Sequence, residues 1–134
     1  MNYKSILIII ISTIVYAVLD LIWIGYFMKD RYINWLAHII RPIAQWNFFH
    51  GLSAVLTWVL IVMGVFIFVM PLVENKSFIQ SFLYGALFGT ILYGLYETTN
   101  YAVIYAWQPA MVFVDIFWGA YACGIITLCM KYML

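Results

Sequence analysis

A chain of 134 residues that is 68% hydrophobic and 8% charged, with a mean hydropathy of +1.05, does not have the composition of a water-soluble domain. Soluble chains carry about 25% charged residues, and six basic and five acidic side chains cannot cover the surface of a 15.6 kDa globule. The net charge of +1 supplies no basic face for nucleic acid, and the hydrophobicity excludes a disordered segment. An integral membrane protein remains, with the lipid bilayer as its first partner.

In lipid every backbone polar group must be satisfied within its own segment, so long apolar runs become helices even where Ile, Val and aromatic residues would favour strands in water. Spanning strands would need alternation over roughly ten residues, which is absent. The expected fold is an all-α bundle of four transmembrane helices forming a single transmembrane domain over residues 1–134, with spans at about 5–28, 48–73, 78–99 and 109–133. Lys4 and the apolar stretch ending Val15-Tyr16-Ala17 loosely fit a cleavable signal. The run continues to Met28, however, and reaches spanning length only if kept, so it is read as a retained span.

Between the first two spans, Tyr32, Trp35, Leu36, Ile39 and Ile40 recur at helical spacing. Arg31, Asn34, His38 and Arg41 form the opposite stripe, and Pro42 stops the pattern. This predicts a short amphipathic interfacial helix at about 31–41, acting either as a shield over the bundle or as a lid on what lies beneath. In the third span Ser81, Gly85 and Gly89 form a ladder of small residues, matched by Ala120 and Gly124 in the fourth. Close approach inside the bundle is the simplest reading, and a homodimer seam through Ser81, Gly85 and Gly89 is the alternative.

Four spans put both termini on one side, with Lys4, Lys76 and Lys131. Lys29, Arg31 and Arg41 fall on the other. The basic residues therefore divide evenly, and the short second loop with its lysine favours cytoplasmic termini in a bacterial inner membrane.

Three acids lie within spans, where a carboxylate is costly to keep: Asp20, Glu97 and Asp115. Asp20 precedes Met28 by eight residues, about 12 Å of helix, and Asp115 follows Pro109 by six, about 9 Å. Glu97 stands near the far end of the third span and His50 near the start of the second, with Asn100 close by. All four spans thus bring polar groups to the leaflet away from the termini. Such a cluster, with no Lys or Arg at its depth in the spans, is open to proton exchange, acid–base chemistry or cation binding. Asp20 precedes Trp23 by three and Asp115 precedes Trp118 by three, so each indole shares a helix face with its acid, as donor, pocket wall or interface anchor. The candidate site residues are therefore Asp20, Trp23, His50, Glu97, Asn100, Asp115 and Trp118. No zinc-binding motif or nucleophile elbow is present, Cys123 and Cys129 form neither a disulfide framework nor a ligand set, and no metal or cofactor is expected.

Several of these residues fall in a pattern that resembles domain-of-unknown-function family 2177, small bacterial membrane proteins expected to have four helices. The resemblance rests on Leu19-Asp20-Leu21-Ile22-Trp23-Ile24-Gly25, Ala37-His38, Tyr96-Glu97-Thr98-Thr99-Asn100, Trp107 with Pro109, and Val114-Asp115-Ile116-Phe117-Trp118-Gly119. It departs from the family pattern at Glu97, where Asp is commoner, and at Gln108, which separates Trp107 from Pro109. The resemblance implies a four-helix inner-membrane protein and supplies no activity. Three functions stay open: a pocket that binds or transports a small or lipid-like ligand, a membrane-embedded enzyme acting on a lipid or isoprenoid, and a structural accessory subunit.

Overall fold

The computed structural model describes residues 2–134, and all regular structure among them is helical. Helix α1 begins behind Asn2, whose side chain accepts the Ser5 backbone N–H, and runs Tyr3–Phe27, its last turn widened to π-helical bonding over Trp23–Phe27. Helix α2 is Lys29–Leu36 and a 3₁₀ turn follows at Ile43–Gln45. Helices α3 (Phe48–Val73), α4 (Phe78–Val103) and α5 (Pro109–Met133) complete the expected set of four helices long and apolar enough to cross a membrane.

The local chemistry accounts for the ends. Asn47 and His50 form a reciprocal cap at the start of α3, and Ser77 and Gln80 do the same for α4. Pro109 opens α5 at a position where its missing N–H costs nothing. Pro71 lies inside α3, and the helix accommodates it by widening over Val65–Val69.

Two expected boundaries change. The helix expected at 31–41 starts two residues earlier and stops at Leu36. There the N–H groups of Ile39 and Ile40 both bond back to the Leu36 carbonyl in a turn, and Pro42 disfavours helical geometry in the residue before it. The third span continues four residues past Thr99, so Asn100 lies within helix and the last connection shrinks to residues 104–108.

The longest helix–helix contact joins α4 to α5. Ser81, Gly85 and Gly89 are buried in it. A Cβ added to Gly85 would stand 2.1 Å from Thr127 Oγ1, and one on Gly89 2.0 Å from the Gly119 carbonyl oxygen. Gly124 accepts the Phe82 ring in the same way. The small-residue ladder is thus occupied within the chain, as close approach of two backbones requires.

Outward-facing stripes are uniformly apolar: Ile10, Ile14, Val18 and Leu21 on α1, Leu52, Leu56 and Leu60 on α3, and Leu83, Leu87, Ile91 and Leu95 on α4 are all exposed. A water-soluble fold would not present such surfaces on every helix; a multi-pass membrane protein must.

The dry core lies in the half of the bundle near the termini. Ile8, Tyr16, Val62, Val65, Val73, Ile126 and Met130 fill it, and two lysines tie its end together. Lys131 donates to the Val73 carbonyl at 2.8 Å and Lys4 to that of Leu134 at 2.7 Å. Toward the other end the packing loosens. Helix α3 contacts α4 mainly through residues 65–73, and above that level the two helices leave space between them.

Candidate functional site

In the loosely packed half a cavity of about 310 Å³ opens between α1, α2, α4 and α5. Asp20, Glu97 and Asp115, from three different spanning helices, all line it, and no Lys, Arg or His does. Their side chains face this one space from three directions.

Each carboxylate is met by an aromatic donor. Asp20 accepts the indole N–H of Trp58 on α3 at 2.9 Å and that of Trp118 on α5 at 3.0 Å, which links three spans through one side chain. Glu97, only 1% exposed, accepts the indole N–H of Trp107 at 2.8 Å. Asp115 accepts the hydroxyl of Tyr32 from α2, and that hydroxyl in turn accepts the indole N–H of Trp23 at 3.2 Å. The Trp23 and Trp118 rings stack face to face with centroids 4.6 Å apart and planes 2° from parallel. Beneath them the hydroxyls of Tyr16 and Tyr93 bond to each other.

The two Asp-x-x-Trp pairs therefore exchange partners. Trp118 serves Asp20 on the antiparallel neighbour, while Trp23 reaches Asp115 only through Tyr32. Glu97 and Asp115 face the same cavity from α4 and α5.

Two candidates lie elsewhere. His50 does not line the cavity. Its Nδ1 accepts the Asn47 backbone N–H as part of the α3 cap, and its ring packs near Trp46. A His at the first turn of a helix satisfies orphan backbone donors before it serves a distant pocket. Asn100, one turn beyond Glu97, keeps its side-chain nitrogen buried without a partner and is likewise outside the lining. The three acids do not combine into a metal-ligand group among the described residues.

Trp58 is not among the residues that the sequence pattern singles out. It lies ten residues into α3, about 15 Å along the helix and too deep for an interface anchor. A tryptophan at that depth needs an acceptor for its N–H, and that requirement was the available signal. Tyr32 was placed on the apolar stripe with Leu36 and Ile40. All three do line the cavity, and the stripe supplies the wall that α2 contributes.

Burial raises the Tyr32 hydroxyl above the ordinary tyrosine value, and its bond to Asp115 raises it further, so it remains a proton donor through neutral pH. A group whose folded value is raised holds its proton more tightly when folded, so its stabilisation is intact below the unfolded value of 10.0 and declines above it. The α2 contact should hold at neutral pH and loosen in alkali. Tyr32→Phe removes both the donor to Asp115 and the acceptor for Trp23. Hydrogen exchange in residues 29–36 should then speed by about tenfold, in line with the loss of roughly 1–1.5 kcal/mol. Exchange unchanged by Tyr32→Phe would show that α2 is held by its apolar contacts alone.

No curated protein and no solved structure matches the chain. One family does, the one described as a predicted membrane protein (DUF2177), over residues 5–132, which takes in all but the outermost residues of the four spans and every residue of the cavity. With its match covering nearly the whole sequence, the chain belongs to that family of membrane proteins.

Proposed function

We propose that the protein captures a small or lipid-like ligand in an intramembrane acidic cavity of a bacterial inner membrane, and either holds it or passes it across. The observation that carries this reading is the meeting of Asp20, Glu97 and Asp115 from three separate spans on one cavity with no basic side chain in its lining. Carboxyl groups in hydrocarbon are retained at a cost and mark ligand or proton pathways more often than they serve packing. Every one of these acids already receives an aromatic N–H or O–H, so the cavity is preorganised and remains short of positive charge. Helix α2, following the interfacial pattern of its sequence, closes the cavity from above through Tyr32, Leu36 and Ile40. With the basic residues evenly divided between the two sides, the proposed cytoplasmic placement of the termini rests on the short loop that contains Lys76.

Native mass spectrometry of the protein released from its own membranes tests the reading. The wild-type chain should retain a bound small molecule, and Glu97→Gln with Asp115→Asn should deplete it at least tenfold. Equal retention by both proteins would contradict it.

The presence of Glu97 and Asp115 on one cavity lining favours one second reading, an enzyme that uses one carboxyl as acid and the other as base on an apolar substrate lying beside the stacked Trp23 and Trp118 rings. Deleting the gene should then change the lipid or isoprenoid profile of the cell, and an unchanged profile under several growth conditions would retire that reading.

A further inference from the structure

The space between α3 and α4 is a second, larger cavity of about 590 Å³, and it is almost wholly apolar. Leu60, Ile61, Phe68, Phe88 and Leu92 form its walls. Gly64 lets the Phe88 ring lie directly on the α3 backbone, where a Cβ would stand 2.7 Å from the ring. Two residues of its lining, Tyr93 and Tyr96, also line the acidic cavity, so the apolar groove adjoins the site that holds the three carboxyls, with these two side chains at the boundary. From Thr57 to Phe68 the groove follows eleven residues of helix, about 16 Å. That is close to the hydrocarbon depth of one leaflet, about half of a 30 Å core.

We propose that these adjoining cavities together bind a single-chain amphiphile with a protonated amine head, its tail in the α3–α4 groove and its head passing Tyr93 and Tyr96 to lie among Asp20, Glu97 and Asp115. The proposal rests on the reading of the acidic cavity as a ligand site and adds the ligand's chemical class and its route of entry. Charge selects the head. An ammonium group supplies the positive charge that the lining lacks, and its three N–H donors match carboxylate oxygens that Trp58, Trp107, Trp118 and Tyr32 leave partly free. A phosphate or carboxylate head would place like charge against three acids with no Lys, Arg or His to offset it. Length selects the tail: a chain of one leaflet's depth fills the groove, and the groove faces the bilayer, so the ligand enters sideways from lipid without crossing water.

Binding to the full-length protein in nanodiscs, measured against empty nanodiscs, provides the test. The probes are oleylamine, oleyl alcohol, oleyl phosphate and butylamine. Oleylamine should bind the wild-type protein at least tenfold more tightly than oleyl alcohol, and butylamine and oleyl phosphate should compete weakly or not at all. Leu60→Trp fills the groove from an exposed position and should weaken oleylamine at least tenfold, with Leu60→Phe intermediate. Asp115→Asn should weaken it to a similar degree. Equal binding of the amine and the alcohol would overturn the head assignment. Loss on Asp115→Asn with no effect of either Leu60 variant, or equal binding of butylamine, would overturn the tail placement and leave the acidic cavity as a ligand site. No binding of any probe to the wild-type protein would overturn the proposal, and retention of a native ligand in the mass spectra would then still support the cavity reading.

Discussion

Asp20→Leu is expected to destabilise the bundle by about 2–4 kcal/mol, because it leaves the indole N–H groups of Trp58 and Trp118 without an acceptor, each worth roughly 1–3 kcal/mol when buried. The opposing effect is that Leu inserts into lipid far more readily than Asp. That gain belongs to α1 whether or not the helices are assembled, so it cancels from the stability of the bundle. Asp20→Asn keeps a carbonyl oxygen in the same place and should cost about 1 kcal/mol or less. The ordering should appear as a Tm series in detergent: wild type, then Asn just below it, then Leu well below. Asn falling as far as Leu would mean that the carboxylate's charge, and not its role as a shared acceptor, ties α1 to α3 and α5.

Gly89→Leu should be at least as damaging. The added Cβ would stand 2.0 Å from a backbone oxygen on α5, an atom that cannot swing aside, so α4 and α5 must separate along their main contact. Overpacking a well-filled site costs about 1–3 kcal/mol where side chains can adjust. Here backbone meets backbone, and a loss of about 3 kcal/mol or more is expected, read as failure to recover folded protein or a collapse of Tm. Gly94→Ala on the same helix is the control. Nothing lies within 4 Å of its Cβ, so the change should be neutral or stabilise slightly through helix propensity, by up to about 1 kcal/mol. If the two variants behaved alike, the α4–α5 seam would not be the one described.

The spans could be read from the chain because lipid imposes a single requirement, satisfaction of the backbone within each apolar run, and composition alone meets it. The ends of α3 and α5 fell at Phe48, Val73, Pro109 and Met133, where caps, Pro and the edge of the apolar run coincide. The end of α2 was misjudged because its apolar periodicity continues through Ile39 and Ile40 after the backbone has already turned at Leu36. Side-chain pattern persists where hydrogen bonding does not.

For the site, depth was legible and direction was not. Counting residues at a helical rise gives height in the bilayer, and it puts Asp20, Glu97 and Asp115 toward one end. It placed His50 there too, but height says nothing of azimuth or of a local competitor, and the Asn47 backbone claimed that imidazole. Spacing within one helix paired Asp20 with Trp23 and Asp115 with Trp118. The observed bonds cross between helices, to Trp58, Trp118 and Tyr32, and follow from a tertiary register that the one-dimensional pattern does not contain.

The central claim is that three intramembrane acids enclose a ligand site and are not merely buried against one another. An experimentally determined structure of the protein in lipid nanodiscs, resolved well enough to show bound molecules, tests it most directly. Asp20, Glu97 and Asp115 should surround one cavity, with density for a molecule between them that extends past Tyr93 and Tyr96 toward Phe88. Three carboxyls facing separate, dry helix contacts, with no cavity between α1, α4 and α5, would contradict it.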